Sequence, residues 1–244
     1  PTPSEVCGAC CLLRHTERRY QRHEPNESSA TFDHVARLKD VPDWSGKPYW
    51  PPKPPFREPS KGLVLVAPFD GIGGARRALE ILGITPALYI SIDNDMDCRV
   101  IVQGAWPDAV CVLDDVGSLE WRTLTDLLDR VPTLDSGLII GGPPCQGFTG
   151  LNRARKGFDD PRSECIAAFA YLSQMLMQAA PRIRWECLME NVASMTSSDR
   201  DLISEILKPI EMRNCYWFDA AVLGHIRRPR VYWTSWKLED GELA

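Results

Sequence analysis

Val64-Leu65-Val66-Ala67-Pro68-Phe69-Asp70-Gly71-Ile72-Gly73-Gly74 runs from an apolar strand straight into a glycine-rich turn, and the next residues, Ala75 to Leu82, carry a helical pattern that stops at Gly83. An uninterrupted apolar strand is buried on both faces, as in a parallel sheet covered by helices. The glycines allow either of two arrangements: close approach of a cofactor to the backbone, or tight packing of helix on strand. The spacing departs from GxGxxG, so a dinucleotide is not the first choice.

Working outward, the same alternation repeats. A second strand, Ala87 to Ile92, ends in Asp93, an acid about 20 residues after the glycines, the placement used to hold ribose hydroxyls. A third, Ala109 to Leu113, ends in Asp114 and Asp115, which either accept a hydrogen bond from an adenine amine or cap the helix expected over Leu119 to Leu128. A fourth, Gly137 to Ile140, leads into Gly141-Gly142-Pro143-Pro144-Cys145-Gln146-Gly147-Phe148. A fifth, Trp185 to Met189, carries Glu190-Asn191 at its carboxyl end. Helices are expected from about Ser163 to Ala179 and Asp199 to Leu207, and the stretches Trp217 to Val222 and Arg230 to Trp236 read as a closing antiparallel hairpin. The fold class is therefore α/β, a doubly wound and mostly parallel sheet.

Ligands in such sheets bind outside the carboxyl ends of the strands. Cys145, held there on a stiff Gly/Pro loop, is a candidate nucleophile; the alternative is a buried structural thiol in a tight turn. Glu190 can hold or protonate a ring nitrogen, or simply end its strand in solvent. Arg227, Arg228 and Arg230 form a basic run that is either part of a site or a solvated loop.

Taken together, these residues resemble the cytosine-5 methyltransferase family over about Gly62 to Trp236. Phe69-Asp70-Gly71-Ile72-Gly73-Gly74 is similar to its first S-adenosylmethionine motif, Pro143-Pro144-Cys145-Gln146 to its nucleophile loop, Glu190-Asn191-Val192 to its acid motif and Arg228-Pro229-Arg230 to its Arg-x-Arg motif. Ala154-Arg155-Lys156-Gly157, Ser198-Asp199-Arg200 and Arg230-Val231-Tyr232-Trp233 are similar to the eukaryotic de novo DNA methyltransferase branch.

The resemblance implies the S-adenosylmethionine-dependent, Rossmann-like form of the fold and a DNA (cytosine-5)-methyltransferase activity. Cys145 would add to carbon 6 of a flipped cytosine, and Glu190 would bond N3 and the exocyclic amine. Arg230 would meet the carbonyl oxygen, with Arg228 beside it or on the phosphate. Around the cofactor, Phe69 would pack on the adenosine, Asp93 hold the ribose, Asn94 cover the adenine and Asp115 accept from its amine. Gly71, Gly73 and Gly74 would make room for the methionine end, and Asp70, Ile72, Val116 and Pro143 complete that set. The basic residues Arg153, Arg155, Lys156 and Arg162 suit flanking phosphates. The branch further implies a nuclear location, chromatin as a partner, and a methyltransferase homo- or hetero-oligomer.

Composition fits one catalytic module. A chain of 244 residues, 44% hydrophobic, can bury one full core plus a small appendage. The net charge of -5 is unexpected for a DNA-gripping protein, though local basic patches govern phosphate contact. No apolar stretch approaches the length of a membrane span, and nine scattered cysteines fit a reducing compartment.

Three segments are expected: residues 1–42, the possible end of a zinc-binding module; 43–61, a strap or linker rich in proline and aromatics; and 62–244, the catalytic domain. Cys7 and Cys10 have the CxxC spacing of half a zinc site, and with the basic residues that follow they resemble the trailing edge of a chromatin-reading module. After Trp236 only Lys237 to Ala244 remain, so the family's target-recognition region and last motif are expected to be missing. Two further functions stay in view: a tRNA cytosine methyltransferase sharing the same loop and acid motif, and a silent relative that binds an active methyltransferase.

Overall fold

The computed structural model describes residues 60–113, 115–117, 119–149, 156–222 and 227–237. Cys7, Cys10, Arg153 and Arg155, together with residues 43–59 of the strap, lie outside the described residues, while Ser60 and Lys61 begin the first strand.

A seven-stranded sheet is built from β1 (Ser60–Pro68), β2 (Pro86–Asp93), β3 (Val110–Leu113), β4 (Ser136–Gly141), β5 (Arg184–Val192), β6 (Asn214–Asp219) and β7 (Pro229–Thr234), in the order β3-β2-β1-β4-β5-β7-β6. The first five strands pair in parallel, whereas β7 inserts antiparallel between β5 and β6. The helices α1 (Gly74–Ile81), α2 (Met96–Ala105), α3 (Trp121–Asp129), α4 (Glu164–Ala179) and α5 (Ser197–Leu207) separate them. The strand order reverses between β1 and β4, which places a crevice at their carboxyl ends. The expected elements are all present, with ends moved by a few residues. The largest shifts are β5, which continues through Glu190 to Val192, and β6, which starts at Asn214 and gives way to a short turn of helix at Ala220–Val222.

The period-2 alternation of side chains divides the core. Val64, Val66, Ile90, Ile92, Ile139, Cys187 and Met189 face a large layer with α3, α4 and α5, while Leu63, Leu65, Ala67 and Tyr89 face a smaller layer with α1 and α2. Each fully buried aliphatic side chain contributes about 1.5–3 kcal/mol relative to exposure. Trp233 of β7 is fully buried, and its indole N–H donates to Ser204 Oγ of α5 at 2.9 Å, so the inserted strand is pinned with its polar atom satisfied.

Two glycines set the crevice. Gly73, with φ 83°, adopts the left-handed conformation that starts α1, and a Cβ there would stand 2.3 Å from the ring of Trp106. Gly141, at the end of β4, would drive a Cβ to 2.6 Å from the Pro68 carbonyl oxygen. Among the described residues no helix is long and apolar enough to cross a membrane.

Candidate active site

The loop after β4 turns back on itself: the Cys145 carbonyl accepts from the amides of Phe148 (3.0 Å) and Thr149 (2.9 Å). Phe148 is fully buried, edge-on to Phe158 at 5.1 Å, and anchors the turn. Cys145 itself is only half-buried, so its thiol is within reach of a ligand. The loop is tied to the neighbouring strand by Asn191, which is buried; its Nδ2 donates to the Pro143 carbonyl at 3.3 Å. That side chain is a positioning group outside the residues singled out above, although its place in Glu190-Asn191-Val192 was legible.

Glu190 and Arg230 are brought together. The register pairs Val192 with Arg230 and Glu190 with Tyr232, so Glu190 and Arg230 are diagonal neighbours on one sheet face. Arg230 Nε donates to Glu190 Oε1, with both side chains largely screened from solvent. The other carboxylate oxygen of Glu190 lies 3.3 Å from where a Cβ on Gly142 would sit, so the acid stands over the first residues of the Cys145 loop. Arg228 is exposed; its backbone N–H donates to Asp219 Oδ1 at 2.7 Å, and its charge acts on Tyr232 alongside those of Glu190 and Arg230.

Beside the loop is a cavity of about 220 Å³ lined by Phe69, Asp93, Asn94, Asp115, Val116, Gly142, Pro144, Gln146 and Cys165. Five of the eleven residues expected around a cofactor therefore share one wall. Phe69 has φ 56°, a strained conformation for an aromatic residue that turns the chain at the end of β1. Asp93 accepts from the Gly71 amide (2.8 Å) and the Asp95 amide (2.9 Å), and Asp115 Oδ1 accepts from the Gly117 amide at 2.8 Å. Cys165, carried by α4, has no signal in the sequence that places it here; burial, then the charges of Asp115 and Glu164, push its thiol up to about 11.

The remaining expected residues are placed differently. Asp70 does not line the cavity: Oδ2 accepts from the hydroxyls of Tyr89 and Ser91 (2.6 Å for Ser91), and burial raises its carboxyl to about 6 despite those bonds. Ile72 is exposed, Gly73 is packed beneath Trp106, and Gly74 opens α1. Pro143 is buried and does not line the cavity. Lys156 is exposed, whereas Arg162 is held by Asp160 through Nε (2.9 Å) and Nη2 (2.7 Å). That pair pulls the Asp160 carboxyl down to about 2. Among the described residues no group of three or more His, Cys, Asp or Glu is arranged to hold a metal.

Residues 66–224 match the family model described as C-5 cytosine-specific DNA methylase. The chain is 28% identical over 152 residues to the type II methyltransferase M.AquIA of Picosynechococcus, covering 60% of this chain and 57% of that protein. It is 32% identical over 96 residues to the DNA (cytosine-5)-methyltransferase DRM2 of Oryza sativa subsp. japonica, covering 38% of this chain and 16% of that protein. The fold resembles that of the Entamoeba histolytica methyltransferase EhMeth, with a TM-score of 0.51 at 20% identity over 71% of this chain and 52% of the other.

Proposed function

The chain belongs to the C-5 cytosine-specific DNA methylase family, and from that premise we propose that it methylates carbon 5 of a cytosine flipped out of duplex DNA, with S-adenosylmethionine as methyl donor. The observation that carries this reading is the juxtaposition of the Glu190–Arg230 pair with the Cys145 loop, beside a cavity lined by an aromatic ring and two carboxylates.

The residues present fit that cofactor. Asp93 and Asp115 offer acceptors suited to a ribose diol and an adenine amine, and Phe69 and Val116 supply apolar surface. At the turn, a Cβ built on Gly71 or Gly74 would meet nothing within 4 Å, which leaves space for a chain of methylenes against the backbone. Bound there, the cofactor supplies an electrophilic methyl group on a sulfonium.

Carbon 5 of cytosine is a poor nucleophile until the ring is opened to addition. In the proposed reaction the Cys145 thiolate would add to carbon 6, and the electron pair displaced toward carbon 5 would take the methyl group, the methyl–sulfur bond breaking with its pair left on sulfur as a neutral thioether. Glu190, bonded to N3 and the exocyclic amine, and Arg230, at the carbonyl oxygen, stabilise the charge that develops on the ring. A preorganised interaction of this kind is worth about 3 kcal/mol. Loss of the carbon 5 proton then returns the pair to the ring and expels Cys145. Flipping costs a few kcal/mol, and Lys156, with Arg153 and Arg155 before it, would hold the flanking phosphates.

The test is a covalent trap. The full chain is incubated with S-adenosylmethionine and duplex DNA carrying 5-fluorocytosine, whose carbon 5 fluorine cannot leave as a proton does, and run on a denaturing gel. A shifted band that disappears in Cys145→Ala is the expected result. A band with fluorocytosine-substituted tRNA and none with DNA would transfer the reading to tRNA; no band with either, from folded protein, would overturn it.

A further inference from the structure

In the reaction proposed above, Glu190 has to turn the edge of its carboxylate to both N3 and the exocyclic amine of the base. One oxygen of that edge, Oε1, is taken by Arg230 Nε in this structure. Arg230 is tied on its other side as well, its Nη1 donating to the Pro229 carbonyl at 2.9 Å. Base binding therefore has to loosen the ion pair, and a carboxylate released on one side needs a second donor to keep its orientation.

The inserted strand β7 places a donor beside it. The register pairs Glu190 directly with Tyr232, and Tyr232 in turn with Tyr216 of β6. Directly opposed residues of an antiparallel pair share a face with their Cβ atoms about 5 Å apart, well within reach of an aromatic side chain. Alternation leaves Tyr232 no other face, because its chain neighbours Val231 and Trp233 are both buried in the layer with α5. Its side is half-buried, with Tyr216 across from it on the side away from Glu190.

The electrostatics of the site agree with that placement. Burial and then the charge of Glu190 push the Tyr232 phenol up, while Arg230 and Arg228 oppose the rise. The hydroxyl thus lies in the field of all three charged groups and keeps its proton near neutral pH. Among the described residues no hydrogen bond engages it, so that proton is free to be donated.

Resting on the cytosine reading above, we propose that Tyr232 is a positioning residue for methyl transfer: as Arg230 turns to the base, the Tyr232 hydroxyl donates to the Glu190 oxygen that Arg230 releases. The carboxylate then stays aimed at N3 and the amine throughout the reaction. Tyr232 makes no bond to the base, so its effect passes entirely through Glu190.

Single-turnover formation of the 5-fluorocytosine adduct by the full chain, at saturating DNA and S-adenosylmethionine, tests this alongside DNA affinity and thermal melting. Tyr232→Phe keeps the ring and removes the hydroxyl; it is expected to slow the adduct about tenfold or more while leaving DNA affinity within about twofold of wild type. In a Glu190→Ala background the same change should have little further effect, since the group it acts through is gone. A wild-type rate in Tyr232→Phe overturns the proposal. So does a loss that multiplies with that of Glu190→Ala, or one that shows in DNA affinity or in melting alone, which would mark the hydroxyl as a structural group. Absence of an adduct with wild type would instead sink the cytosine reading itself.

Discussion

Arg230 meets Glu190 on the diagonal of the β5–β7 ladder, not across from it, which leaves Tyr232 as the directly opposed residue, while Arg230 Nη1 donates to the Pro229 carbonyl at 2.9 Å. The pair is partly exposed, so its contribution to stability is modest, about 1 kcal/mol or less. Its weight falls on function. Glu190→Gln and Arg230→Ala should each lower methyl transfer about 100-fold or more while shifting the unfolding midpoint little. Loss of activity that merely tracks loss of fold, measured by thermal melts alongside, would count against the roles assigned.

Two adjacent glycines should behave oppositely. A methyl group on Gly141 meets the Pro68 carbonyl at 2.6 Å and the ring of Phe169 at 3.0 Å, neither of which can give way cheaply. Gly141→Ala is expected to cost about 1–3 kcal/mol in chemical denaturation. On Gly142 the methyl group meets only the end of the Glu190 carboxylate at 3.3 Å, which can rotate aside. Gly142→Ala should stay within about 0.5 kcal/mol of wild type and still slow formation of the 5-fluorocytosine adduct.

Asn191→Ala removes the bond to the Pro143 carbonyl and the acceptor for the Val192 amide. Both groups are buried with it, so destabilisation of about 1–3 kcal/mol is expected. The adduct should also form more slowly than the stability loss explains, because the loop loses its tie to β5. Single-turnover trapping at a temperature where both proteins are fully folded separates the two effects.

Asp70 gives the pH dependence a sign. Its carboxyl is raised from 3.8 to about 6, chiefly by burial, so the folded state holds a proton that the unfolded state has released. Stability from this group is complete below about pH 4 and is lost as pH rises through about 6, a change of about 2–3 kcal/mol. Asp70→Asn should flatten that segment of the stability profile. Denaturation at about pH 4 and about pH 6.5 checks it; an identical slope in the variant would exclude Asp70 as the source.

Much of the fold was legible because its strands are buried on both faces and separated by helices, so apolar runs, glycine turns and period 3.6 stretches alternate without ambiguity. The cavity wall was legible where strand ends deliver acids directly, as with Asp93 and Asp115. What could not be read depends on pairing across long separations. Asp70 follows the strand into the turn like a site residue, yet turns inward because Tyr89 and Ser91 of β2 present hydroxyls to it. Cys165 reaches the cavity only because α4 brings it beside Asp115, fifty residues earlier in the chain. Arg162 read as a phosphate contact, and the acid two residues before it claims its guanidinium.

The insertion of β7 between β5 and β6 also sets a calendar for synthesis. A growing chain that has emerged through α5 already contains the Cys145 loop and Glu190, but the arginine that completes the pair arrives on the last strand of the sheet, and β6, made earlier, cannot reach its place until β7 lies beside β5. Until then β5 offers an unpaired edge and Trp233 has no cover from α5, so in the nascent molecule Glu190 stands without its Arg230 partner. The proposed constellation is thus closed only once β7 has inserted, which makes that strand a checkpoint between folding and chemistry.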